Sequence, residues 1–195
     1  MAKIRGPLLS LDARGKFADS IVYSNWKGIK TARTYVIPAN PNTADQQTQR
    51  GYLASAVEQY RSADLTGDDK TAWDLYATTA ATPMFGFNSF IKNYIDLAVA
   101  GKTYNLMFDL TGDVSTPEEL TVTVEGTAVD LTLNVHYGTS PTSLIYTAAM
   151  AHDAAGKYEA TIESLSTGVK YYFAVVVTLE AKAGNRTGIG VAEIT

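Results

Sequence analysis

The chain has 195 residues, 46% of them hydrophobic and 18% charged, an ordinary globular composition with room for one large domain or two small ones. It contains no cysteine, which excludes disulfides, thiolate metal sites, cysteine nucleophiles and covalent haem attachment. The net charge of -4 conceals a gradient: residues 1–62 carry nine Lys/Arg against four Asp/Glu, and residues 103–195 carry four against eleven.

In chain order, Met1 to Val36 is rich in Gly, β-branched and aromatic residues and reads as short strands. Two β-compatible runs, Phe17–Trp26 and Ile29–Ile37, flank Lys27-Gly28, the signature of a tight hairpin, and predict one two-stranded ribbon. Such a ribbon is marginal alone and needs a surface to lie on. Pro38 and Pro41 then keep the chain extended. Thr43, with Gln46 three residues on and Asp45 in the first turn, predicts a helix from Ala44 whose stripe Leu53, Ala56, Val57 and Tyr60 is buried. A second helix starts near Thr66–Asp69, again with a capping pair, and sets Trp73, Tyr76, Ala77 and Ala80 on one face up to Pro83. A third, from about Phe85 to Val99, puts Phe87, Ile91, Tyr94 and Ala98 on one stripe with Phe90, Ile95 and Val99 beside it, and Gly101 is its expected stop.

Beyond Lys102 the hydrophobic period changes from helical to alternating, and seven candidate strands with turn signals between them match an immunoglobulin-like sandwich. In the longest, Val169, Tyr171, Phe173, Val175 and Val177 form the expected core face. The fold class read from the sequence is α+β: a β-ribbon and three helices in a basic domain of residues 1–102, followed by an acidic all-β sandwich of residues 103–195.

No membrane span of the usual ~18–20 apolar residues is present, nor the charge and apolar order of a secretory signal, so neither a membrane partner nor export is expected. His136 and His152 fall in the β region without a serine or acid partner at recognisable spacing, and no phosphate loop, nucleophile elbow or His-x-x-x-His occurs. The expectation is therefore no catalytic residues, no metal and no cofactor. The residues singled out instead are cations interleaved with aromatics: Tyr23, Trp26, Lys27, Lys30, Arg33, Tyr35 and Arg50, with Arg61 further on. They fit docking on an acidic neighbouring subunit, a plain solvated face, DNA contact or a membrane surface, and the first of these is carried forward. Pro38, Asn40 and Pro41 add an extended arm to the expected docking set.

Two resemblances add to this reading. The string Ile162–Val177, with Leu165, Gly168, Tyr171, Phe173 and Val175, resembles the signature of fibronectin type III domains, without the Trp often found on an earlier strand. Trp26, Gly28, Pro38, Asn40, Pro41, Thr43, Gln46, Gln47, Arg50, Trp73, Asn88 and Phe90 resemble a pattern of virion and prophage-associated proteins of tailed bacteriophages. That second resemblance implies a non-enzymatic structural protein of the virion. It would be made in the bacterial cytoplasm and dock in multiple symmetric copies on neck, tail or capsid subunits. The alternative expectation is an adhesin whose sandwich binds a host surface or glycan.

Overall fold

The computed structural model describes residues 2–3, 14–37, 39, 42–79, 84–126, 131–152 and 156–195, with the side chains of residues 2, 3 and 180 left aside. The chain divides into two compact units, residues 1–43 and residues 44–195. The boundary expected after residue 102 is thus not where the structure divides. The helices belong with the sandwich, because one of them fills the sandwich's open side.

Unit 1–43 is an antiparallel sheet of β1 (Ala2–Lys3), β2 (Gly15–Phe17), β3 (Ile21–Trp26) and β4 (Ile29–Thr34), in the order β1-β4-β3-β2. The β3–β4 hairpin turns at Lys27 and Gly28 as the sequence predicts, with positive φ at both, +47° and +78°. A primed turn needs this handedness to match the twist of its strands. The two-stranded expectation is corrected to four strands. The run Phe17–Trp26 breaks at Ala18 and Asp19, both left-handed, and the Ser20 N–H and hydroxyl fold back on the Phe17 carbonyl.

In unit 44–195 the three helices are α1 (Ala44–Tyr60), α2 (Gly67–Thr79) and α3 (Gly86–Val99), close to their expected bounds. Local signals fix the ends. Thr66 and Asp69 form a reciprocal capping box, the Thr66 N–H donating to the Asp69 carboxylate and the Asp69 N–H to the Thr66 hydroxyl. After α3, the Lys102 N–H reaches back to Leu97 and that of Gly101 to Ala98, a Schellman closure. The predicted stripes are corrected in two places. On α1 only Ala56 is buried and Leu53 is 47% exposed, because α1 packs on α3 along a short length. On α3 the buried set is Gly86, Ser89, Phe90, Ile91 and Leu97, so Phe87 and Val99 lie outside it. Leu65, Trp73, Phe90 and Leu106 make the helical core, with Tyr60, Tyr76, Tyr104 and Phe108 around it.

The sandwich has eight strands among the described residues. β5 (Met107–Asp113), β6 (Leu120–Gly126), β10 (Lys157–Ile162) and β9 (Ala151–His152) form one sheet in the order β5-β6-β10-β9. β12 (Gly190–Glu193), β11 (Lys170–Val177), β7 (Leu133–Gly138) and β8 (Tyr146–Ala149) form the other, in the order β12-β11-β7-β8. Every pairing is antiparallel and the chain crosses repeatedly between the sheets, which is an immunoglobulin-like sandwich. The expected fourth strand is split, since the chain changes sheet at Met150, whose N–H bonds the Leu133 carbonyl. Tyr171, Phe173, Val175 and Val177 are buried, as the alternation predicts. The Tyr171 hydroxyl accepts the Ser166 N–H at 3.3 Å, the corner bond of such sandwiches.

The helices join the sandwich through buried polar groups. At the bulge in β5 the N–H groups of Asp109 and Leu110 turn to the Asp69 carboxylate, each at 3.0 Å, while Asp109 sits at φ +55°. Gly188 lets α2 approach so closely that the Ile189 N–H donates to the Ala72 carbonyl at 2.9 Å. A side chain at position 188 would meet the Ala72 carbonyl carbon at 2.3 Å. The fully buried Asn185 accepts the Asn105 N–H and donates to the Thr103 and Lys182 carbonyls, fixing the β11–β12 connection to the end of the helical region.

Candidate docking surface

Alternation along β3 and β4, together with their register, divides the candidate residues of the first sheet between two faces. Tyr23 and Lys30 share a face with Phe17, Ile21 and Ala32. Trp26 and Arg33 lie on the other with Lys16, Val22, Ile29 and Thr31, and Tyr35 continues that face beyond the strand. The sequence reading brought them together as one patch, whereas the sheet separates them.

The second face has more of the expected character. Trp26 is 71% exposed beside the hairpin turn, with the Lys27 ammonium 5.9 Å from its ring. Lys16 stands 4.6 Å from the Tyr35 ring and is ion-paired with Asp19. Tyr35 is tied down by its N–H to the Ser20 carbonyl at 2.7 Å. At the centre, Thr31 is buried and bonded to Ser24 through their hydroxyls at 2.7 Å. A polar pair therefore occupies the place where a self-sufficient sheet would carry aliphatic side chains.

Among the described residues of unit 1–43, no apolar side chain is buried, while Phe17, Ile21, Trp26, Ile29, Val36 and Ile37 are all exposed. A sheet gains stability by covering a face with a second layer, at about 25 cal/mol for each Å² of apolar surface removed from water. These six side chains are the signal that sequence reasoning missed for Phe17, Ile21, Ile29, Val36 and Ile37, which it had assigned to strands without asking what would cover them. Residues 1–43 also carry seven Lys/Arg and two Asp/Glu, a net positive charge. Of the remaining candidates, Pro38, Asn40 and Pro41 lie outside the described residues, and Arg50 is an exposed residue of α1 in the other unit.

In unit 44–195 the two histidines have structural neighbours. His136 Nδ1 is 3.2 Å from the Thr147 hydroxyl, and the His152 ring lies against Tyr158 with centroids 4.7 Å apart and planes inclined by 41°. No group of three or more His, Asp or Glu suited to a metal occurs among the described residues, and none of their helices is long and apolar enough to cross a membrane. An aromatic side chain is exposed at the sandwich edge: Tyr146 on β8 is 53% exposed, next to the exposed Ile145, and lies 5.3 Å from the half-buried Tyr137 with rings inclined by 30°.

No family model matches the chain, and no curated protein does. Among solved structures, a bromine derivative of BhCBM56 is similar at 17% identity and a TM-score of 0.36, over 43% of this chain and 88% of that one. A β-1,3-glucan binding domain of carbohydrate-binding module family 56 is similar at 16% identity and a TM-score of 0.33, over 47% of this chain and 100% of that one. A DUF3244 family protein from Bacteroides vulgatus with an immunoglobulin-like β-sandwich fold is similar at 13% identity and a TM-score of 0.26, over 46% and 99%. The sandwich assignment rests on the strand order and register of this chain itself.

Proposed function

We propose that this chain is a non-enzymatic structural protein of a tailed-bacteriophage virion, docking through the sheet of residues 1–43 on an acidic subunit of the neck, tail or capsid. One observation carries the docking role: a basic four-stranded sheet with no buried apolar side chain among its described residues and six exposed ones. The assignment to a virion follows from the resemblance of residues 26–90 to phage proteins. The chain is made in the bacterial cytoplasm and incorporated in several symmetric copies, so that individually weak contacts add up. Docking in this reading is adhesion of one preformed surface to another and needs no cofactor.

The test is incorporation. In particles from cells carrying variant genes, the chain lacking residues 1–43 is expected to be absent by mass spectrometry, and Trp26→Ala with Arg33→Glu to reduce its copy number at least tenfold. Normal incorporation of the truncated chain would sink the proposal. A second reading, a glycan-binding adhesin, is favoured by the exposed Tyr146 beside the half-buried Tyr137, because an aromatic face on a sandwich edge suits a sugar ring. The same fragment, residues 44–195, separates the two: retention on a glycan array supports the adhesin, and no retention supports the particle role alone.

A further inference from the structure

Arg186 lies in the connection between β11 and β12, bridged to Val176. Its guanidinium carbon is 3.8 Å from the centre of the Tyr76 ring on α2, and its Nε donates to the Thr187 carbonyl at 3.2 Å. Much of the side chain is withdrawn from water: burial pushes its pKa down, with Tyr76 acting the other way. No carboxylate pairs with it among the described residues. A cation partly withdrawn from water without an anion loses hydration that a bound anion would offset. Arg186 also lines an open pocket of about 230 Å³, together with Thr79, the exposed Thr142, Leu144 and Ile189. Thr79 donates to the Tyr76 carbonyl at 2.7 Å, and the Thr142 hydroxyl is 3.0 Å from that of Ser140. Each oxygen keeps acceptor capacity for a ligand hydroxyl.

We propose that this cavity binds a sugar acid, with Arg186 holding the carboxylate and the two threonines the ring hydroxyls. The planar guanidinium fork matches a carboxylate in shape and in charge. A phosphate dianion would remain half-neutralised, since neither a lysine nor a second arginine lines the cavity. The volume lies below the roughly 300–1,000 Å³ of sites for drug-sized ligands, which leaves room for a single ring. The inference sharpens the glycan reading, but its binding residue is Arg186 and not Tyr146.

The experiment titrates the full chain with glucuronate and follows the arginine Nε–H signals by NMR, with glucose, acetate and inorganic phosphate as comparisons. One arginine signal is expected to shift saturably with glucuronate, and the binding to be lost in Arg186→Met. Glucose and phosphate leave the signal unmoved, and acetate binds at least tenfold more weakly. Thr142→Val leaves the guanidinium in place and weakens glucuronate at least threefold without affecting acetate, so the site is testable even if the Arg186 variant does not fold. Tyr146→Ala retains glucuronate binding while it removes the aromatic platform of the glycan reading. Absence of saturation, equal binding by phosphate or acetate, unchanged binding in Arg186→Met, or loss in Tyr146→Ala would each overturn the assignment.

Discussion

Asp69 is the residue on which two levels of structure meet. Its carboxylate, 4% exposed, closes the start of α2 through the Thr66 N–H and hydroxyl and accepts two backbone N–H groups from the bulge of β5. Removing it strands four donors at once, two of them on a bulge whose strand partner cannot take them back. A hydrogen bond to a charged group is worth about 1.5–3 kcal/mol, and the bonds here act together. Asp69→Ala is expected to lower the stability of the unit by about 3 kcal/mol or more, measured as a shift of the urea midpoint at unchanged slope. Asp69→Asn is also destabilising, because an amide offers one acceptor oxygen and turns its own N–H donors towards backbone donors. The capping half of this role was legible in the sequence, where Thr and Asp stand three residues apart. The other half was not, since nothing near residue 69 announces a strand bulge forty residues later.

At the scale of elements, α2 and the segment before β12 meet backbone to backbone, the Ile189 N–H donating to the Ala72 carbonyl. Gly188 makes it possible, and Gly188→Ala forces helix and strand apart because the added carbon meets backbone rather than a flexible side chain. The expected cost is on the order of 2 kcal/mol, with a lowered thermal midpoint as the measurement. The same element shows what periodicity can and cannot deliver. The spacing of Trp73 and Ala77 identified the buried face of α2 correctly, and the capping pairs marked the starts of α1 and α2, whereas α3 begins at Phe85 without a side-chain cap. Phe87 and Leu53 were misplaced because a stripe states only which residues share a face, and burial depends on how much of that face a neighbour covers. The split of β8 from β9 was likewise hidden: an alternating run reads the same whether the chain stays in one sheet or changes sheet midway. For the sheet of residues 1–43, alternation was available in the sequence, but the turn at Ala18 and Asp19 was not: Asp accepts left-handed backbone, yet Ala does not favour it and no Gly or Pro marks the place.

For the molecule as a whole, the boundary at residues 43/44 has a direct consequence for fragments. Residues 44–195 are expected to fold alone and unfold in one transition, since helices and sandwich share the contacts of Asp69, Asn185 and Gly188. Residues 103–195 lack α2, which leaves Leu110 and Ile189 facing water along the open side of the sandwich. That shorter fragment is expected to bind a hydrophobic dye and to melt at least 10 °C below the longer one, by circular dichroism. Equal midpoints would show that the helices contribute nothing to the sandwich. Among the described residues, exposed large hydrophobic side chains are scattered over the second unit, which has a buried core, and denser on the first, which buries no apolar side chain.

The embrace between α2 and the segment at Gly188 also dictates an order of events during synthesis. Helix α2 leaves the ribosome long before residues 188–194, and while Trp73 can already pack on Leu65, Phe90 and Leu106, Ala72 reaches its final neighbours only when that late segment arrives, with Ile194 itself part of the sandwich interior. Such distant pairings close slowly. A nascent chain stalled midway therefore leaves the sandwich-facing side of α2 uncovered, the kind of transiently exposed apolar surface that chaperones at the exit tunnel shield.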